Sequence, residues 1–422
     1  MADGRAYSGT AERLPMADLP GIVPGHGFDL LDGVRVLDLT TSVAGPVASM
    51  LLADFGAEVA KIERPGAGDD ARGWGPPFLD GESLWFLAVN RNKRSVTLDL
   101  TAPAGRALLY ELAAQADVML VNQPPRALAR LGIAPEQVRA RWPDLVYVAI
   151  TGFGLDGART DRACYDLIAE GYSGIMDLTG APGGESQKVG APAADLLAGQ
   201  DAAMASIAAL FARARTGKGR TVDVALVDSM TRFLSCRIVP YLGSGELPRR
   251  SGGRDSVIAV YQVFETEDEP MTLGLGNDAI WRRFWEAVGQ PGYAADPAFT
   301  TNGDRRAQRE RIVADIQALL RTRPRSHWLA LLAEARVPAG PINRLDEVVA
   351  DPDLRARGLF YRMAAPDGRE IPQVGTAIRL DGTANAPRLA PPRLGEHTEA
   401  VLADWLGYSA ERVAELRRQG IV

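Results

Sequence analysis

Histidine and cysteine are scarce in this sequence, and their scarcity argues against several kinds of site. The 422 residues include three histidines (His26, His327, His397) and two cysteines. No H-x-x-x-H or C-x-x-C spacing occurs, so a metal centre is not indicated. Two cysteines also cannot build a disulfide framework, which favours a reducing compartment. We therefore expect a cytoplasmic protein without a metal site, whose chemistry comes from carboxylates, hydroxyls or a cofactor.

A dense basic surface and long apolar runs are missing as well. Lys and Arg total 47 against 53 Asp and Glu, a net charge of −6, whereas neutralising nucleic-acid phosphates requires an excess of positive side chains. No stretch approaches the roughly 18 consecutive apolar residues of a membrane-spanning helix. Residues 1–27 lack the apolar core of a secretory signal and resemble a flexible tail. We expect neither a nucleic-acid nor a membrane partner.

What the sequence does contain is a series of short β-rich runs that alternate with helical patterns. The runs lie at 34–40, 58–63, 95–100, 118–123, 145–150 and 221–227. Helical patterns between them include Pro46–Phe55, a segment from Pro103 to about Gln115, and a long amphipathic segment from about Asp195 to Thr216. Strand and helix in alternation indicate right-handed βαβ units. The expected fold class is therefore α/β, with a Rossmann-like, mostly parallel sheet.

The loop after the first strand carries no nucleotide-binding fingerprint. It reads T-T-S-V-A-G-P from Thr40 to Pro46, and neither G-x-G-x-x-G nor a P-loop occurs. NAD and ATP are therefore not indicated. Pro46 is expected at the first helical position, with the helix N-terminus at the carboxyl edge of the sheet. That arrangement suits a phosphate, and it equally suits a plain strand-to-helix turn.

Changes in composition divide the chain into five parts. We expect a tail (1–27), a large Rossmann-like domain (28–225), a linker with a lid-like loop (226–255), a small α+β domain (256–345) and a return segment that completes the large domain (346–422). Within the small domain, strands are expected at Tyr261–Phe264 and 271–275, and helices at 279–288, 305–321 and 326–335.

Several motifs together give the sequence a family likeness. They are L-x-G-V-R-V-L-D-L-T with A-G-P at 44–46, K-I-E-R-P-G-x-G-D at 61–69, N-R-N-K-R-S at 90–95, Y-D at 165–166, D-L-x-x-G at 195–199, R-x-x-T-G-x-G-R at 213–220, V-P-x-G-P-I at 337–342 and L-G-E-H-T at 394–398. With them the chain resembles the class III CoA-transferases from about Leu31 to Val422. That family includes formyl-CoA and carnitine-CoA transferases and also α-methylacyl-CoA racemase.

The resemblance implies an interlocked homodimer and a CoA site along the large domain. The positions that match the family's CoA contacts are Val43, Ala44, Arg64, Leu98, Asn122, Gln123 and Arg130. Arg64 and Arg130 suit this role because a guanidinium forks onto phosphate oxygens. CoA and acyl-CoA would be substrates, and no tightly bound cofactor is implied.

Asp195 matches the family nucleophile, which carries CoA as an aspartyl thioester. From the residues alone, Asp195 looks like a helix N-cap. Both roles are compatible, and we expect the helix dipole to keep the carboxylate ionised.

Two departures from the family pattern affect the expected function. Val121–Arg126 replaces the family's E-N-F-x-P-G, so an amide, Gln123, stands where an aromatic ring contacts CoA, and Ser251–Arg254 is a reduced form of the family's glycine loop. An acyl-CoA racemase or isomerase is the alternative function. In the racemase, however, a histidine stands where this chain has Tyr165, and a phenol, with an ordinary pKa of about 10, is a poor proton acceptor. We therefore expect CoA transfer between an acyl-CoA and a carboxylic acid.

Overall fold

The computed structural model describes residues 15–25 and 27–422, which form two compact units. The first unit comprises the described residues up to Ser173 together with Gly190–Phe233 and Asp351–Val422. The second comprises Gly174–Val189 and Leu234–Ala350. The first unit is thus built from three separate stretches of chain.

A six-stranded parallel sheet forms the centre of the first unit. The strands of this unit are β1 (Gly21–Ile22), β2 (Arg35–Asp38), β3 (Glu58–Glu63), β4 (Phe78–Leu79), β5 (Glu82–Ser83), β6 (Lys93–Thr97), β7 (Val118–Val121), β8 (Val146–Thr151), β9 (Thr221–Ala225), β13 (Phe360–Ala364), β14 (Glu370–Val374), β15 (Arg379–Leu380) and β16 (Thr383–Ala384). In the main sheet the order is β6-β3-β2-β7-β8-β9. All its neighbouring strands are parallel. The α/β fold class with a parallel sheet is therefore confirmed.

Helices cover this sheet and continue into the rest of the first unit. They are α1 (Ala44–Asp54), α2 (Leu84–Ala88), α3 (Pro103–Ala113), α4 (Pro125–Leu131), α5 (Pro135–Arg141), α6 (Asp166–Ser173), α8 (Ala193–Thr216), α9 (Leu226–Phe233), α17 (Pro352–Ala356), α18 (Thr398–Leu406) and α19 (Ala410–Arg418). Every residue of β7 and β8 is buried, as expected for parallel strands covered on both faces. Leucines of α3 and Trp405 of α18 belong to the same core as these strands.

The second unit combines an antiparallel sheet with helices. Its elements are α7 (Ile175–Leu178), α10 (Ser235–Ser244), β10 (Tyr261–Phe264), β11 (Met271–Gly274), α11 (Asp278–Ala287), α12 (Pro291–Ala294), α13 (Asn302–Ala307), α14 (Arg309–Leu320), α15 (Arg325–Glu334), β12 (Ala339–Pro341) and α16 (Leu345–Ala350). The sheet order is β10-β11-β12. Trp281, Phe284 and Trp285 of α11 are at most 1% exposed and lie in the core of this unit.

The structure corrects two details of the expected secondary structure. The helix expected over 305–321 is interrupted at Gln308, whose φ of −113° leaves the helical range, giving α13 and α14. Helices α9 and α10 occupy much of 226–255, where a linker was expected. Leu226, Met230 and Leu234 recur there every four residues and are buried, which is a helical spacing.

Of the tail expected over 1–27, residues 1–14 and 26 lie outside the described part of the chain. Gly21–Ile22 is a strand that pairs in parallel with β13, so this stretch is not a loose tail. Over the described residues, no helix has both the length and the apolar character needed to cross a bilayer.

Candidate active site

The site lies where the strand order of the main sheet reverses. From β2 the chain proceeds outward through β3 to β6, and then returns to β7 on the other side of β2. The loops that follow β2 and β7 therefore diverge and leave a crevice at the carboxyl edge, where open α/β sheets bind ligands. This placement follows from the topology alone.

Two amides after β7 hold the loop after β2 in place. Asn122 Oδ1 accepts a hydrogen bond from the Thr41 amide at 3.1 Å, and its Nδ2 donates to the Thr41 carbonyl at 2.8 Å. Gln123 Nε2 donates to the Leu39 carbonyl at 2.7 Å. Asn122 and Gln123 thus join the two loops that border the crevice. Main-chain bonding of this kind fixes the loop geometry before any ligand binds.

A buried ion pair also stabilises the loop after β2. Lys61 Nζ lies 2.9 Å from Asp69 Oδ2, and both side chains are at most 1% exposed. Asp69 Oδ1 accepts from the amide of Ser42, a residue with a φ of 71°. Lys61 Nζ also donates to the Thr40 carbonyl at 2.7 Å. The left-handed turn at Ser42 is therefore held by two buried charges of opposite sign.

The helix after this loop begins earlier than the sequence indicated. α1 starts at Ala44, so Pro46 occupies the third helical position and not the first. Gly45 is required because a Cβ there would lie 2.2 Å from the Thr40 side chain. Val43, a predicted CoA contact, is 3% exposed and packs with Val47 and Val89, so its side chain belongs to the core.

Four predicted CoA-binding residues come together around a cavity of about 630 Å³. Arg64, Leu98, Gln123 and Arg130 all line it. Arg64 Nε donates to the Gly68 carbonyl at 3.1 Å, and its guanidinium pairs with the exposed Asp70 carboxylate. Arg64 and Arg130 are the cations that could meet an anionic group here, Leu98 adds an apolar wall, and the acidic residues Glu63, Asp69, Asp70 and Asp99 line the same cavity.

A second cavity of about 300 Å³ adjoins the first. It is lined by Ala44, Asn122, Gln123 and Asp195. Thr41, Asp70 and Gln123 line both cavities, so the two are neighbours along the sheet edge. Among the predicted CoA-binding residues, Val43 alone lines neither of these two cavities.

Helix α8 brings Asp195 to the smaller cavity, but Asp195 does not cap that helix. The helix starts at Ala193. Asp166 Oδ1 accepts from the amides of Ala194 at 2.8 Å and Asp195 at 3.3 Å, so Asp166 satisfies the free amides of this helix end. The N-cap interpretation of Asp195 is therefore wrong. The glycine of the D-L-x-x-G motif has a packing reason, because a Cβ on Gly199 would lie 2.7 Å from the Ala44 carbonyl of α1.

The carboxyl group of Asp195 is a weaker acid than expected. Burial raises the pKa of Asp195 to about 7, and the nearby Asp166 carboxylate adds to the rise. Desolvation and like charge here outweigh the helix dipole. The expectation that the helix end keeps Asp195 fully ionised is therefore wrong, and at neutral pH a large fraction of the side chain is protonated.

Three further residues of the smaller cavity were not among the predicted site residues. They are Arg162, Cys164 and Tyr165, on the segment between β8 and α6. Tyr165 is 65% exposed, and burial raises the pKa of the Cys164 thiol to about 11, with Asp195 contributing. In the sequence, only the Y-D motif pointed to this segment. The segment lies about thirty positions before Asp195, and only the fold brings the two together.

Comparisons with known proteins identify the family of the chain. A family model described as CoA-transferase family III matches residues 31–398. The chain is 39% identical to a succinate–glutarate CoA-transferase of Agrobacterium fabrum, over 92% of this chain and 98% of the relative. It is 36% identical to the human succinyl-CoA:glutarate CoA-transferase, over 97% and 92% of the two chains. A crystal structure of a CAIB/BAIF family protein from Brucella suis superposes with a TM-score of 0.78 and 39% identity, over 90% of this chain and 100% of the other.

The chain therefore belongs to CoA-transferase family III. It is an enzyme that moves CoA between an acyl-CoA and a carboxylic acid, with CoA thioesters as substrates. The resemblance and the prediction of CoA transfer are both confirmed.

Proposed function

We propose that CoA lies along the two adjoining cavities of the first unit, with its phosphates in the larger and its thioester in the smaller. The guanidinium groups of Arg64 and Arg130 support this orientation, since they are suited to phosphate oxygens. The smaller cavity holds Asp195, the residue that would react with the thioester. The shared walls at Thr41 and Gln123 allow one extended ligand to occupy both. This juxtaposition is the observation that carries the proposal.

Asp195 would act as a covalent carrier of CoA. Its carboxylate attacks the thioester carbonyl of the donor, the C–S bond breaks, and a mixed anhydride and CoA thiolate form. The thiolate then attacks the aspartyl carbonyl, which releases the donor acid and leaves an aspartyl-CoA thioester. The acceptor carboxylate attacks that thioester to give a second anhydride and thiolate. Attack of the thiolate on the acceptor carbonyl yields the new acyl-CoA and restores Asp195.

The weak acidity of Asp195 fits a group that alternates between charged and neutral forms. Burial leaves the carboxylate poorly solvated, which favours its conversion into neutral anhydride and thioester states. The Asn122 and Gln123 bonds keep the neighbouring loops fixed while the aspartyl group changes. Only the ionised fraction attacks, so the enzyme works with the carboxylate form present at and above neutral pH.

Dicarboxylic acids are the proposed substrate class. Two of the relatives that match more than nine-tenths of the chain are named for succinate, succinyl-CoA and glutarate. We propose succinyl-CoA as the donor and a short dicarboxylate such as glutarate as the acceptor.

We also propose that two chains form the interlocked homodimer of the family resemblance, which acts in the cytoplasm. Exposed apolar side chains support association: Met204 and Phe211 of α8 are 64% and 67% exposed, and Leu242 of α10 is 73% exposed. The domain boundaries drawn from the sequence stay a prediction.

Chemical trapping tests the proposed function. Protein incubated with succinyl-CoA and hydroxylamine should gain a hydroxamate on Asp195, and should move CoA to glutarate in a mass-resolved exchange assay. Asp195→Asn should lose both signals and keep CoA binding. The control Asp228→Asn changes an exposed carboxylate of the neighbouring helix α9, lines neither cavity and should keep both. A hydroxamate on another residue, or exchange by Asp195→Asn, would contradict the assignment.

A further inference from the structure

One arginine without an ion-pair partner lines the smaller cavity, which also holds the proposed nucleophile. The charged residues that line this cavity are Asp70, Arg162 and Asp195. Asp70 is paired with Arg64, which faces the larger cavity. Across residues 15–25 and 27–422, no carboxylate lies within ion-pair distance of Arg162. The guanidinium of Arg162 is therefore available to an anionic group that enters the cavity.

A tyrosine orients this guanidinium and leaves part of it free. Arg162 Nη1 donates to the Tyr172 hydroxyl at 2.9 Å. The Tyr172 ring meets Phe153 edge-on at 5.0 Å, and the Arg159 guanidinium lies 5.0 Å from the same ring. In the part of the chain that the structure describes, Nε and Nη2 of Arg162 have no hydrogen-bond partner. Two donors thus remain for a second, fork-like contact.

We propose that Arg162 binds the distal carboxylate of the acyl group and of the acceptor acid, and so selects dicarboxylates over monocarboxylates. The inference rests on the function proposed above. A second carboxylate placed near Asp195 and Asp166 would be repelled unless a cation accompanied it. Arginine meets that need because its planar donors match the two oxygens of a carboxylate. Arg162 is thus a specificity residue, while the reacting carboxylate faces Asp195.

Acceptor kinetics isolate this contact. In a double-displacement reaction the donor acid leaves before the acceptor reacts, so kcat/KM for the acceptor does not depend on the donor. Glutarate and valerate have the same chain length and differ by one carboxylate, so their kcat/KM ratio measures recognition of the distal group. In Arg162→Met the value for glutarate should fall roughly 10- to 100-fold, the loss expected for one charge-assisted contact. The value for valerate should change by less than about 3-fold.

Two further variants separate recognition from structural damage. Arg162→Lys keeps the charge and loses the fork, so it should recover part of the glutarate preference. Arg159→Met is the control, because Arg159 also lies beside Tyr172 but does not line the cavity. This variant should keep the glutarate to valerate ratio of kcat/KM within about 2-fold of wild type. Thermal melting of each variant checks folding. If Arg162→Met does not fold, Arg162→Lys takes its place: a glutarate to valerate ratio below that of wild type supports the inference, and an unchanged ratio overturns it.

The outcomes distinguish this inference from the proposed function. Equal loss for both acids, an unchanged ratio, or a wild type that prefers valerate would overturn the role of Arg162. If wild type moves CoA and forms the Asp195 hydroxamate while Arg162→Met keeps its preference, the inference alone fails. If wild type forms no hydroxamate and no acyl-CoA with either acid, the proposed function fails and the inference fails with it.

Discussion

Replacing Asp195 by asparagine should stabilise the fold above neutral pH, although it removes the proposed nucleophile. The ordinary pKa of 3.8 rises to about 7 in the folded protein. A rise of about 3 units, at about 1.36 kcal/mol per unit, sets a ceiling of about 4 kcal/mol on the cost of the buried charge. Asp195 keeps an intermediate exposure, so water screens part of that cost. We expect a gain of about 2 kcal/mol for the variant.

The pH dependence of this gain has a definite sign. A carboxyl group whose pKa is raised by folding favours the folded state while it is protonated. That contribution is complete below about pH 4, and it is lost as the pH rises through about 7. The neutral amide has no charge to desolvate, so the difference between the two proteins should widen over that range and then stay constant.

Urea unfolding at pH 4.5 and pH 8 measures this difference. The m-value should be the same for both proteins, so that the midpoints report stability. Glu310→Gln, at an exposed position of α14, is the control and should shift stability by less than about 0.5 kcal/mol at either pH. An Asp195→Asn variant that is no more stable than wild type at pH 8, or equally stabilised at both pH values, would refute the reasoning.

Two other predictions concern ligand binding and assembly. Arg64→Ala should weaken CoA binding in calorimetry by about 1.5–3 kcal/mol, the scale of a charge-assisted hydrogen bond. The control Arg126→Ala, at a side chain that is 85% exposed and lines neither cavity, should leave CoA binding unchanged. Unchanged affinity of Arg64→Ala would argue for an ordinary surface role. Light scattering at micromolar concentration should give about twice the 45.2 kDa mass of one chain, and a folded monomer would contradict the dimer.

The parallel sheet could be predicted from the sequence because its signal is local. β3 lies at Glu58–Glu63, the same bounds that the apolar run gave. Buried strands of this kind carry their pattern within six or so residues, and their order follows from short right-handed connections. Helix ends were less accurate, as at Ala44 and Gln308, because capping and loop bonds move them by a few residues.

The acidity of Asp195 could not be predicted in the same way. The residues that decide it are distant in sequence: Asp166 precedes Asp195 by 29 positions and accepts a hydrogen bond from the Asp195 amide. Desolvation likewise depends on the packing of α8 against α1, which the spacing of residues does not reveal. The place of Arg162 at the smaller cavity could not be predicted either, because a loop residue acquires its neighbours only when the fold is complete.

The three-part construction of the first unit has a consequence for the order of events during translation. Asn92 donates to the Leu389 carbonyl, Thr97 to the Thr398 hydroxyl and Asp99 to the Ile421 carbonyl, each bond spanning some three hundred residues. At roughly 5–20 residues per second, the ribosome needs tens of seconds to supply these partners. Until then one edge of the nascent sheet lacks its cover, so the growing chain should depend on chaperones while the second unit is already able to fold.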